Sequence, residues 1–146
     1  MELEFRLFDT THFSEYCRWY AHPSVRRALG YIDKEWLEHV LNDDQGREYA
    51  VFQQNELVAE VGLMLPTESH PAVAITNLSV KPGRQRQGIG SAVLRELRSV
   101  LKHQQWVAYA SIDNPGAQAF LKKNGWVSRW PPNSEGMIQY TNHCVT

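Results

Sequence analysis

The sequence predicts one α/β domain, spanning residues 1–146, in which helices cover both faces of a mixed central sheet. Segments with alternating apolar residues, typical of strands, are interspersed with segments whose apolar residues recur at helical spacing. The predicted order is β-α-α-β-β-β-α-β-α-β-β, and helices among mostly adjacent strands imply a single mixed sheet. The chain has no linker-like stretch and no internal repeat, and its 146 residues suit one domain.

Composition and charge exclude several classes of partner. The chain is 42% hydrophobic and 21% charged, as in ordinary soluble globular proteins. Its 15 basic and 16 acidic side chains give a net charge of −1, which offers no electrostatic basis for binding nucleic acid or a membrane surface. No apolar run is long enough to cross a bilayer. The six histidines show no metal-ligand spacing, so we expect no metal.

The cysteines and the N-terminus predict a cytoplasmic protein. Cys17 and Cys144 are far apart in sequence, which fits a reducing compartment better than a disulfide framework. Residues 1–6 alternate polar and apolar side chains and therefore predict a strand, not a signal peptide. We expect a monomer or a homodimer.

The first third of the chain predicts a strand and two helices. The strand carries one apolar face, formed by Leu3, Phe5 and Leu7. Asp9 can cap a helix that ends before His22-Pro23, since a residue before proline avoids helical geometry. A turn over residues 25–30 leads to a second helix near Asp33. Its apolar stripe consists of Trp36, Leu37, Val40 and Leu41.

The rest of the chain predicts six strands and two helices. The strands cover residues 49–53, 57–65 and 72–80, then 106–112, and a final pair at 127–130 and 137–140. An amphipathic helix follows Gly88, with a stripe formed by Val93, Leu94, Leu97, Val100 and Leu101. The last helix begins at Asn114-Pro115, a cap followed by an N1 proline, and stops at Gly125.

The loop over residues 81–90 carries the clearest functional signal. A strand that runs into a glycine-bearing turn and then a helix exposes several backbone N–H groups together, and the positive helix end favours phosphate. Gly88 and Gly90 allow close approach of a ligand to the backbone. Lys81, Arg84 and Arg86 add positive charge at the rim of the loop.

Spacing excludes two common nucleotide-binding loops. A Walker A loop needs Gly-Lys-Ser/Thr at the start of the helix, whereas this chain has Gly88-Ile89-Gly90-Ser91. A Rossmann loop needs a third glycine three residues after Gly90, where Val93 stands. A nucleotide-binding protein is therefore disfavoured.

Three segments, in order, resemble the GNAT superfamily of N-acetyltransferases. Gln85-x-x-Gly88-x-Gly90 is similar to the Q/R-x-x-G-x-G/A signature of that family, and Leu78-x-Val80-x-Pro82 resembles the strand that precedes it. Downstream, the segment from Asn114 through Ala117 and Phe120 to Gly125-Trp126 is similar to the second conserved segment. The resemblance extends over residues 74–126.

The resemblance implies an acetyl-CoA site and a mostly antiparallel sheet splayed between the strands that end at Val80 and Ile112. The pyrophosphate contacts would come from the loop: Gln85, Arg86, Gln87, Gly88, Ile89, Gly90 and Ser91. The strand edge at Leu78 and Val80 would bind the pantetheine arm, and an N–H near Leu78 would stabilise the oxyanion. Asn114 and Phe120 would line the thiol end.

The catalytic positions depart from the family pattern. Leu121 stands where many members have a tyrosine that protonates the leaving thiolate, and Ala74, Thr76 and Tyr109 fall on frequent general-base positions. Tyr109 could donate a proton, although a packed strand tyrosine is the simpler interpretation. Glu60 is the best carboxylate candidate, although its simpler interpretation is a residue on the solvent-facing side of a half-exposed strand.

These observations predict an enzyme that moves the acetyl group of acetyl-CoA to a primary amine. The acceptor is a peptide N-terminus or a small-molecule amine, which the sequence does not distinguish. Leu121 leaves one alternative open, an acyl-CoA-binding regulatory module with weak or lost catalysis.

Overall fold

The predicted order of strands and helices is confirmed in the part of the chain that the structure describes. The computed structural model describes residues 2–21, 33–102 and 105–143, so the turn predicted at 25–30 lies outside it. The strands are β1 (Glu4–Leu7), β2 (Gly46–Gln53), β3 (Glu56–Met64), β4 (Val73–Val80), β5 (Gln105–Ser111), β6 (Val127–Arg129) and β7 (Met137–His143). The helices are α1 (Thr10–Trp19), α2 (Lys34–Asn42), α3 (Ile89–Val100) and α4 (Pro115–Lys123).

The strands form one mixed, mostly antiparallel sheet, as predicted. Their order across the sheet is β1-β2-β3-β4-β5-β7-β6. Every neighbouring pair is antiparallel except β4 and β5, which are parallel and joined through α3. The β2–β3 hairpin turns at Gln54 and Asn55, whose φ angles of 50° and 65° suit the tight turns that follow strand twist.

Helices cover both faces of the sheet, which confirms the predicted layering. Successive strand residues point to opposite faces. On β2, Tyr49 and Val51 belong to the cluster that contains the buried residues of α3 and α4, whereas Ala50 packs with Tyr16 and Trp19 of α1. The two clusters therefore lie on opposite sides of the same strand.

Local capping chemistry fixes the helix starts where the sequence predicts them. The Asp9 side chain accepts a hydrogen bond from the Thr11 amide at 2.8 Å, and Asp33 accepts one from the Trp36 amide at 2.9 Å. None of the helices in the described residues is long and apolar enough to cross a membrane.

Three residues predicted to be buried are exposed. Leu7 is 60% exposed, because β1 is an edge strand and the chain turns Phe8 into the core instead. Leu41 and Val100 are 45% and 47% exposed, and each lies in the last turn of its helix. The apolar stripes of α2 and α3 therefore cover the sheet only up to those turns.

The core contact of α3 is testable with two substitutions on the same helix. Leu97 is fully buried, so Leu97→Ala should lower the free energy of unfolding by about 3 kcal/mol through lost burial and the cavity left behind. Val100→Ala, at an exposed position, should change it by less than about 0.5 kcal/mol. Urea denaturation of both variants measures the difference, and equal losses would contradict the packing described for α3.

Candidate active site

The parallel strands β4 and β5 separate after three residue pairs. Val73–Ile75 of β4 pair with Trp106–Ala108 of β5, and the rest of β5 pairs with β7 alone. A cavity of about 400 Å³ lies between the separated ends. The predicted splay in the sheet is therefore present, and it opens at the C-terminal halves of both strands.

A β-bulge explains where the strands separate. The β3–β4 register pairs Gly62 with Asn77 but Leu63 with Ile75, so Thr76 is an extra residue in β4. The β4–β5 ladder ends at Ile75, immediately before this bulge. The extra residue also reverses the alternation of side chains along β4, so Asn77 lies opposite Gly62 on the α1 side of the sheet.

The cavity collects several of the predicted site residues. Leu78 lines it from β4, Tyr109 from β5, and Asn114 and Phe120 from α4. The Oδ1 atom of Asn114 accepts a hydrogen bond from the Ala117 amide at 3.1 Å, so its amide nitrogen is the group left to meet a ligand. Val80, also predicted to contact the cofactor, is not among the residues that line this cavity.

The loop before α3 presents a run of backbone amides that is suited to binding a ligand. No described residue accepts a hydrogen bond from the amides of residues 85–91, and the first helical bond runs from the Ala92 amide to the Gly88 carbonyl at 3.0 Å. Gly88 adopts a left-handed φ of 80° and no side chain caps the helix. Such a run at a helix N-terminus favours a phosphate group.

Gly90 has a packing role beside the one that the sequence suggests. A Cβ atom at this position would lie 3.3 Å from the Phe120 ring and 3.7 Å from Val80 Cγ2. The missing side chain therefore allows α3 to pack closely against Phe120. The approach of a ligand to the backbone at Gly90 stays a prediction.

Glu60 is fully buried, so its interpretation as a solvent-facing strand residue is wrong. Helix α1 covers this part of β3. The Tyr16 hydroxyl donates to Glu60 Oε2 at 2.9 Å, and the Asn77 amide donates to the same oxygen at 2.8 Å. The Tyr16 hydroxyl also lies 3.2 Å from those of Tyr20 and Ser79. Glu60 Oε1 has no hydrogen-bond partner among the described residues.

A second carboxyl group, Glu48, lies in the same cluster. Glu48 pairs with Gly62 across the β2–β3 ladder, and a methyl group at Gly62 would overlap both the Glu48 carboxyl and Asn77 Oδ1. Burial raises the pKa of Glu48 to about 8, with a further increase from the charge of Asp43 and an opposing effect of the Asn77 hydrogen bond. Burial also raises the pKa of Tyr16, which keeps this phenol a neutral donor.

Asn77 connects the buried carboxyl cluster with the cavity. Its side chain donates to Glu60, and the same residue lines the space between β4 and β5 together with Thr76. The Thr76 hydroxyl donates to Asn77 Oδ1 at 3.1 Å. The buried Glu60 carboxyl group is therefore one hydrogen bond away from a residue that lines the cavity.

Tyr109 lines the cavity with 45% of its surface exposed, so its interpretation as a packed strand tyrosine is wrong. The strand turns this side chain toward the opening because β4 no longer covers it. The Tyr109 hydroxyl accepts a hydrogen bond from Gln139 at 3.2 Å, which leaves its own proton available. Leu121 is buried and lines the cavity, but it has no proton to give.

The predicted site residues did not include Glu48, Asn77 or Tyr16. These residues come from β2, β4 and α1, and their meeting depends on the strand register and on the bulge. The available signal was Gly62 inside an otherwise apolar strand, since such a glycine often marks a bulge or a close approach.

The carboxyl group of Glu48 should make stability depend on pH. Its pKa is higher in the folded chain than in the unfolded one, so unfolding releases a proton and stability falls as pH rises from about 4.5 to 8. Glu48→Gln removes this titration. The free energy of unfolding of the variant, relative to that of the wild type, should therefore rise by roughly 4 kcal/mol across that pH interval. Denaturation curves at pH 5 and pH 9 measure the change. Glu135→Gln, at an exposed carboxylate, is the control, and a difference that does not depend on pH would contradict the burial of Glu48.

Comparisons with known proteins agree with this geometry. The model of a family described as "Acetyltransferase (GNAT) family" matches residues 6–126. An acetyltransferase from Thermus thermophilus superposes with a TM-score of 0.85 at 17% identity, covering 99% of this chain and 98% of that one. No curated protein sequence matches this chain.

Two further solved structures have named substrates. The spermidine N-acetyltransferase from Vibrio cholerae, in complex with CoA and spermine, has a TM-score of 0.77 at 14% identity, covering 97% of this chain and 95% of that one. The Salmonella typhimurium acetyltransferase that modifies the N-terminal serine of ribosomal protein L7/L12 has a TM-score of 0.82 at 18% identity, covering 98% and 95%. At these identities the structures show a shared fold. Because the family model spans most of its length, this chain belongs to the GNAT acetyltransferase family.

Proposed function

We propose that this protein transfers the acetyl group of acetyl-CoA to a primary amine, with the thioester held between β4 and β5. The observation that carries the proposal is the separation of β4 from β5 next to the amides of residues 85–91, which have no partner among the described residues. An acyl-CoA-binding module without catalysis is the alternative, and the buried carboxyl cluster beside the cavity favours the enzyme.

The cofactor has a separate contact surface for each of its chemical parts. The amides of residues 85–91 bind the pyrophosphate at the positive end of α3. The edge of β4 beyond Ile75 is free of β5, so the backbone at Leu78 and Val80 binds the pantetheine amides as an added strand does. Asn114 and Phe120 contact the thiol end from α4. Bound acetyl-CoA supplies an activated acetyl group.

Transfer requires stabilisation of negative charge on the thioester oxygen. The backbone N–H near Leu78 provides this donor, because Leu78 lines the cavity beyond the point where β4 and β5 separate. The attacking amine must lose a proton, and Glu60 takes it through water while the hydrogen bond from Asn77 holds Glu60 in place. The leaving thiolate takes a proton from Tyr109, the phenol that faces the cavity.

The acceptor is best described as an α-amine. At pH 7 roughly one α-amine in ten is neutral, against about one lysine side chain in 2,500. Glu60 is held by Tyr16 and Asn77 and reaches the amine only through water. An amine that is already partly neutral in solution should therefore be acetylated fastest. The comparison structures include one enzyme for spermidine and one for a protein N-terminus, and both of these substrates are amines.

We also propose that the protein lies in the cytoplasm and is a monomer or a homodimer.

Binding and turnover of acetyl-CoA test the proposed function. At a hundredfold excess over the dissociation constant, acetyl-CoA should stabilise the folded protein by about 2.7 kcal/mol and raise its Tm, whereas ATP and NAD should not. Free thiol should then appear with a panel of peptide and small-molecule amines. Stabilisation without thiol release would support the binding module, and no stabilisation at millimolar acetyl-CoA would refute the cofactor site.

The part played by Glu60 is testable through the pH dependence of the rate. Glu60→Gln keeps the shape of the side chain and removes the proton acceptor, so the rate at neutral pH should fall by about a hundredfold with less loss at high pH. Glu48→Gln, in the same cluster, should lose much less and serves as the matched control. Coinciding pH profiles for Glu60→Gln and the wild type would assign Glu60 a structural role only. Faster transfer to lysine ε-amines than to α-amines at neutral pH would refute the α-amine preference.

A further inference from the structure

Glu56, the first residue of β3, holds the base of the phosphate-binding loop through a network of charged contacts. Its two carboxylate oxygens accept hydrogen bonds from Arg84 Nη2 and Nε, each at 3.0 Å. Lys81 Nζ lies 3.4 Å from Glu56 Oε2 and 3.5 Å from Glu15 Oε1 of α1. Two of the three cations that we expected to add charge at the loop rim are therefore already paired with carboxylates.

The network extends into the run of amides before α3. Arg84 Nη1 donates to Gln87 Oε1 at 3.2 Å, so the guanidinium binds Glu56 on one side and the middle of the loop on the other. The Arg84 amide also donates to the Lys81 carbonyl at 2.9 Å. The planar guanidinium makes a two-pronged contact with Glu56, a geometry that fixes direction as well as distance.

The remaining support for this loop is sparse. Its other side-chain hydrogen bond among the described residues is a long one, at 3.4 Å, from Gln85 Nε2 to the Val80 carbonyl. Arg86 adopts a positive φ of 64°, which L-residues rarely adopt without support from their surroundings. Glu56 therefore supplies the side-chain anchor between the loop and the β2–β3 hairpin, beside the backbone hydrogen bond from the Lys81 amide to the Val58 carbonyl at 2.8 Å.

We propose that Glu56 is a positioning residue for the cofactor: through Arg84 and Gln87 it holds the amides of residues 85–91 in the arrangement that binds pyrophosphate. This inference rests on the proposed function, since it assumes that the loop binds acetyl-CoA. Fixing the loop before binding lowers the conformational entropy lost when the ligand arrives. The hydrogen bond from Arg84 also holds the pKa of Glu56 below its ordinary value, so the carboxylate is charged at neutral pH.

A different role for Glu56, in which it only keeps Arg84 away from the ligand, predicts the opposite change in acetyl-CoA affinity. If Glu56 merely withheld Arg84 from the ligand, its removal would free a guanidinium to pair with the phosphates and would tighten acetyl-CoA binding. If Glu56 holds the loop in place, its removal weakens binding even though the loop becomes more positive.

Kinetics with two thioesters test the proposal. Glu56→Gln should raise the KM for acetyl-CoA about tenfold with little change in kcat. With S-acetylpantetheine, which lacks the pyrophosphate, the variant and the wild type should have the same kcat/KM. Glu4→Gln removes a carboxylate from another exposed ion pair, with Arg6 at 2.7 Å, and should change neither substrate's constants. The double variant Glu56→Arg with Arg84→Glu exchanges the two charges and keeps an ion pair at this place. It should therefore recover part of the acetyl-CoA affinity that is lost when Glu56 is removed.

The outcomes separate this inference from the proposed function. A wild type that neither binds CoA by calorimetry nor releases thiol would refute both. With an active wild type, the positioning role is refuted if Glu56→Gln tightens acetyl-CoA binding, leaves its KM unchanged, or reduces kcat/KM equally for the two thioesters. An equal loss for both thioesters would identify Glu56 as a contributor to general stability, which the Tm of the variant would show independently.

Discussion

The extra residue that Thr76 adds to β4 sets the arrangement on which the rest of the site depends. The β4–β5 ladder stops immediately before it, so the two parallel strands separate and the cavity opens between them. The same insertion reverses the alternation of side chains, which places Asn77 opposite Gly62 on the α1 side. A bulge costs ladder hydrogen bonds and gives a bent strand with unpaired edge groups in return. In this fold, residues 75–78 of β4 line the cavity.

The two halves of the site keep polar groups unpaired in different ways. The amides of residues 85–91 lie in an exposed loop and in the first turn of α3, where water can satisfy them until an anion binds. Glu60 lies in the protein interior, where an unpaired carboxyl oxygen is costly and is normally avoided. The hydrogen bonds from Tyr16 and Asn77 stabilise its other oxygen. Unpaired polar groups next to a cavity are the kind of local inconsistency expected at functional sites.

The paired charged side chains of the loop hold its backbone in place and leave little net charge to attract an anion from a distance. Lys81 and Arg84 are neutralised by Glu56 and Glu15, in keeping with the near-zero net charge of the whole chain. Exposed ion pairs taken singly contribute little to stability, but a two-pronged guanidinium contact within a network fixes geometry. In the proposed site, an anion would be recognised by oriented backbone amides rather than by unpaired charges.

The sequence by itself determined the order of the strands and helices, their caps and the place of the glycine-bearing loop before α3. These features depend on short-range chemistry: Asp9 and Asp33 cap helices within three residues, and Gly88 supplies a left-handed turn where the helix begins. The family motifs are local in the same sense. What the sequence left open depends on contacts between distant segments.

Only the tertiary structure decided which carboxyl groups are buried and which phenol faces the cavity. An apolar strand interrupted by Glu60 fits either a solvent-facing residue or a buried one, and the covering by α1 decides between them. Glu48 meets Asn77 because Gly62 leaves room across two strand ladders. Strand register and helix placement result from the packing of the whole core. Spacing along the chain was therefore enough to predict the loop before α3, whereas the burial of Glu60 and the exposure of Tyr109 depend on the three-dimensional fold.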